Sequence, residues 1–209
     1  MNPKPGTALP RSYRWVLVVA LVMGFQVSFS AGFDFLEALN HDEPPQMVGS
    51  ESAWPGLGLS PVAQRRVWLA RVGGAKSALE GMLPWRLATS STLAVFAGLV
   101  FLMAMRLRIA PEGRAQIAEH LGRAALGAAV LRSIDGAENL AMARTIAAEM
   151  GKVLVSEAVP DAGLTASMIT TAVSVASGAW TLMIVAVFVT LGNYFRSETL
   201  RDALARAEP

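Results

Sequence analysis

Thirty-four consecutive residues, Ala162–Phe195, carry no charged side chain. A bilayer core of roughly 30 Å is crossed by about 20 helical residues, so this run alone directs the chain toward a membrane. Two shorter uncharged runs of nineteen residues precede it, Trp15–Phe33 and Leu87–Met105. Lipid offers backbone amides no hydrogen-bond partner, so each run is expected to be helical. Only 16% of the 209 residues are charged, well below the roughly 25% usual in soluble domains.

The expected fold is therefore an all-α integral membrane protein with three transmembrane helices. It carries an extracytoplasmic amphipathic helix and a cytoplasmic helical hairpin. The expected order is a cytoplasmic tail (1–14), transmembrane helix 1 (15–33) and an extracytoplasmic loop (34–86) with an amphipathic helix at 61–83. Transmembrane helix 2 (87–105), a hairpin (106–161), a long helix (162–195) and a tail (196–209) follow. The long helix changes character midway: its start is rich in Ser, Thr, Ala and Gly, so the crossing is placed at about 173–194. A re-entrant turn near Gly178 is the rival reading, and Asp161 is an expected N-cap. The first run competes with a signal peptide, because Ser28-Phe29-Ser30-Ala31 offers a small-x-small cleavage pattern.

Basic residues Lys4, Arg11 and Arg14 precede the first run and acidic residues follow it, which predicts a cytoplasmic N-terminus. With three crossings, Arg106, Arg108 and Arg114 stay inside while Arg196, Arg201 and Arg206 are exported. Near the ends of the crossings, six basic residues then lie inside and five outside. High alanine and arginine with few lysines suggest a GC-rich bacterial genome, so the expected location is a bacterial inner membrane.

In the outer region, Ser60-Pro61 reads as an N-cap followed by proline at the first helical position. Trp68, Val72, Ala75, Leu79 and Met82 recur at helical spacing. Arg65, Arg66, Arg71 and Lys76 lie largely off that stripe. With Trp68 they are the candidate membrane-surface residues. The inner region is expected to open at Pro111, with Ile117, Leu121, Ala124, Ala128 and Leu131 on one face. Asp135 and Glu138 resemble an N-cap and its N3 partner, opening a second helix with Leu140, Ala143, Ala147, Met150 and Leu154 as its stripe. Candidate helix-packing residues are the small-xxx-small pairs Ala94/Gly98 and Ser174/Gly178.

Chemistry is sparse. With no cysteine, a thiolate metal site or thiol nucleophile is impossible. His41-Asp42-Glu43 is the single local cluster of metal-ligand types; a site needs three or four ligands, and no HExxH or similar helical spacing is present to supply them. No catalytic fingerprint is present, and no enzyme, cofactor or nucleic-acid partner is expected. The leading expectation is a non-catalytic membrane subunit or scaffold that packs in the lipid bilayer with itself or with other subunits.

A membrane sensor is the alternative. At Arg106, Pro111, Asp135 and Leu140 the chain is loosely similar to signalling proteins with a HAMP linker. The usual glycine and phenylalanine of the second HAMP helix are missing, and a further span follows. A channel or transport component using Thr170, Thr171, Ser174 and Ser177 is a third possibility.

Overall fold

The computed structural model describes residues 9–40, 60–109, 112–156 and 162–207, without the side chains of 61, 162–166 and 169. His41-Asp42-Glu43, Pro111 and Asp161 lie outside those residues. The described chain is helical: α1 (Tyr13–Leu39), α2 (Pro61–Ile109), α3 (Arg114–Ser156), α4 (Ala162–Arg196) and α5 (Glu198–Arg206). Three of these helices, α1, α2 and α4, are long and apolar enough to cross a membrane.

Ser60 caps α2, its hydroxyl oxygen accepting the Ala63 N–H at 3.2 Å. From there α2 runs 49 residues, with Pro84 inside it. The expected amphipathic helix and second crossing are thus one helix. Proline removes a single backbone donor, and here the helix continues on both sides of the position.

The expected hairpin is likewise absent: α3 is one helix of 43 residues. The turn before it is set at Gly113, whose φ of +70° suits glycine. Asp135 and Glu138 are internal to α3 and buried, not capping residues. The two-helix break implied by the HAMP-like pattern is therefore missing.

Two compact units divide the chain. The first holds residues up to Phe35, Ala88–Ile134 and Thr181 onward. Its four helical segments pack in a ring. Between α1 and α2, the Ser28 hydroxyl donates to the Ala94 carbonyl at 2.9 Å, and Gly24 meets the backbone of Ala97 and Phe101. Numbers rise on α1 as they fall on α2, so the pair is antiparallel. Between α2 and α3, Phe96 lies over Gly127. Between α3 and α4, Gly122 faces Gly192. The ring closes where the Ser12 and Tyr194 hydroxyls meet at 3.2 Å. This is an up-and-down four-helix bundle, with α5 docked on its end through the buried Leu200 and Leu204.

The core explains the order. Leu93, Leu107, Leu121, Phe188 and Phe195 are fully enclosed, and α3 contributes Ala118, Ala125 and Ala128 between them. Small residues on α3 let neighbouring backbones approach closely, the contact on which helix association in lipid relies. α1 supplies Leu17, Ala20, Val27 and Ala31 to the same core. Cleavage after Ala31 would remove all four.

The second unit holds residues 36–87 and 135–180. In it α2 and α3 pack through Val67, Met150 and Leu154. The packing face of α2 is Ala63, Val67, Gly74 and Ala78, beside the expected Trp68–Met82 stripe, whose members are half-buried. Gly74 does not interrupt the helix. A Cβ there would lie 3.1 Å from the Ile146 Cα, so glycine permits the contact.

At Gly24 an added Cβ would lie 2.7 Å from the Phe101 nitrogen and 3.0 Å from the Ala97 oxygen, backbone atoms that cannot rotate away. Gly24→Val is expected to destabilise the bundle by about 1–3 kcal/mol. Gly178→Val, which meets open space, should do so much less. Unfolding by sodium dodecyl sulfate in mixed micelles measures both.

Candidate functional site

Each helix of the second unit is mostly neutral on its buried side, with one exception. Arg86, Asp135 and Glu138 are buried, with side-chain exposures of 7%, 1% and 10%. The Arg86 Nη1 donates to Asp135 Oδ1 at 2.8 Å and lies 3.8 Å from Glu138 Oε2. Asn139, one turn beyond Asp135, donates its amide to Asp135 Oδ2 at 3.3 Å. The i, i+3 and i, i+4 spacings of α3 place both carboxylates and the amide on one face, and Arg86 arrives from α2.

A buried guanidinium flanked by carboxylates is retained only when its charge is matched and hydrogen-bonded. Burial also keeps the cluster from any bulky substrate. Among the described residues no group of three His, Cys, Asp or Glu is arranged to hold a metal ion. Physically, the cluster can fix the register of α2 against α3: sliding either helix by one turn would strand a buried charge.

The sequence-derived candidates lie elsewhere. Ala94 and Gly98 face α1, where a Cβ on Gly98 would stand 3.2 Å from the Ser28 oxygen. Ser174 and Gly178 are half-buried. Arg65, Arg66, Arg71 and Lys76 are exposed and Trp68 half-buried, with Lys76 3.9 Å from Glu80.

A second set of charges belongs to the bundle. Glu119 of α3 pairs with Arg123 one turn on and with Arg201 of α5 at 3.4 Å. Around it, Arg11 precedes α1 and Arg14 lies in its first turn, Arg106 and Arg108 end α2, and Arg114 begins α3. Arg196 ends α4, and Arg201 and Arg206 lie in α5. The alternating direction of the four segments brings all eight arginines to one end of the bundle. Glu112, Glu119, Glu198 and Asp202 are the acids there.

Removing the cation leaves two carboxylates buried without it. Arg86→Met is expected to cost about 3–5 kcal/mol. The triple change Arg86→Met, Asp135→Leu, Glu138→Leu should recover most of that loss, measured by the same micellar unfolding. A single variant as stable as the parent would show that the cluster carries no weight. Comparison with known proteins supplies no further guide: no family model, no curated protein and no solved structure matches this chain.

Proposed function

We propose that the protein is a non-catalytic subunit or scaffold of a bacterial inner membrane, and that its bundle crosses the bilayer four times. The observation that carries the reading is the outer face of α3. Gln116, His120, Arg123 and Val130 share that face and are exposed. The outward faces of α1, α2 and α4 are instead apolar, with Val22, Phe25, Phe29, Leu102 and Leu182 all more than half exposed. Apolar surface of this extent belongs in lipid. A polar face is costly against acyl chains and favourable against another protein. The most apolar stretch of α4 is also only 11% buried within the chain, against 28% for α1 and 33% for α2, leaving contact surface for neighbours.

The dimensions support a fourth crossing. Arg86 and Arg106 are twenty residues apart on α2, about 30 Å, one hydrocarbon thickness. Arg114 and Asp135 bound a similar length of α3. Trp15 and Trp85 are exposed at 75% and 72%, near Arg14 and Arg86 respectively, as interfacial aromatics are.

Four crossings also resolve the charge balance. In a three-crossing chain Arg196, Arg201 and Arg206 are exported; in a four-crossing chain they join Arg11, Arg14, Arg106, Arg108 and Arg114. The positive-inside rule then places this whole end in the cytoplasm, with Arg11 and Arg206 on the same side.

In mild detergent the protein should run larger than one 22.1 kDa chain with its detergent. In native membranes, Gln116→Cys and Val130→Cys variants, clean because the chain has no cysteine of its own, should cross-link to another protein chain. A strict monomer without cross-links at either position contradicts the proposal.

A further inference from the structure

The arginine end does more than set orientation: we infer that it selects anionic phospholipids from the surrounding leaflet. This rests on the membrane placement proposed above. With Arg123, nine arginines face four acids at that end, and Glu119 is already engaged by Arg123 and Arg201. Arg11, Arg14, Arg106 and Arg108 are exposed, on helices that also carry the bundle's lipid-facing surface.

The apolar surface is continuous with the charges. On α1, Arg14 is followed on the exposed side by Trp15, Val18, Val22 and Phe25; on α2, Met105 and Leu102 lie below Arg106. A ligand that fits must present an anion at the level of the guanidinium groups and long acyl chains directly beneath. A phospholipid with a net negative headgroup has that form, whereas a free anion uses only the upper half. Guanidinium binds phosphate oxygens through paired N–H donors, and each basic residue near an anionic surface strengthens attraction up to about fivefold.

The full chain reconstituted in phosphatidylcholine bilayers, probed with spin-labelled phosphatidylglycerol or phosphatidylcholine, tests this. The expected result is a motionally restricted lipid population that favours phosphatidylglycerol severalfold. The preference should fall toward unity in Arg11→Gln/Arg14→Gln combined with Arg106→Gln/Arg108→Gln, and persist in Arg71→Gln. Restricted lipid with equal affinity for both labels overturns the inference and leaves the membrane placement standing. An absence of restricted lipid overturns the placement itself. Loss of preference when inorganic phosphate replaces chloride at constant ionic strength would assign the arginines to a free anion and overturn the lipid assignment. So would an Arg71→Gln effect as large as that of the end variants.

Discussion

Close backbone contact at glycine holds this molecule's bundle together. Gly24 against α2, Gly127 beneath Phe96, and Gly122 opposite Gly192 bring four helices near enough for dispersion forces to act along their length. In lipid there is little hydrophobic drive between helices, so such contacts and a few interhelical hydrogen bonds carry association. The Ser28 to Ala94 bond is one of these. Because α3 meets both α2 and α4 in this way, its alanine-rich first part is an integral wall of the bundle and not an appendage.

That placement changes what the charges mean. Read in isolation, Arg106 and Arg108 stop a span, and Arg196 ends another on the far side. In the bundle their helices point the same way, and the arginines gather with those of α1, α3 and α5. Glu119 becomes a tie between α3 and α5. At the other end of the same stretch of α2, Arg86 is enclosed by two carboxylates of α3. On α2, then, the arginines differ in surroundings: Arg106 and Arg108 are exposed, and Arg86 is buried between carboxylates.

Much of this is legible in the sequence. Uncharged length marked α1, α2 and α4, and Ser60-Pro61 marked the start of α2. Leu121, Ala124 and Ala128 did lie on the buried face of α3. What escaped were the features that depend on contacts distant in sequence. Glu119, His120, Arg123 and Arg132 interrupt α3, so no apolar run announces it beside the spans; its signal is a stripe of alanine and glycine, which also suits a soluble hairpin. Asp135 and Glu138 match the local grammar of a cap, and their partner Arg86 lies 49 residues away. Pro84 reads as a boundary because proline usually is one, while the helix continues past it.

The central claim is that α3 crosses the bilayer and returns α4 to the side on which α1 began. Single cysteines replacing Arg11, Lys76 and Arg206, labelled with a membrane-impermeant maleimide in oriented vesicles, test it directly. The account predicts that positions 11 and 206 react from the same face and position 76 from the opposite face. Labelling of positions 11 and 206 from opposite faces would contradict it and restore a chain of three crossings.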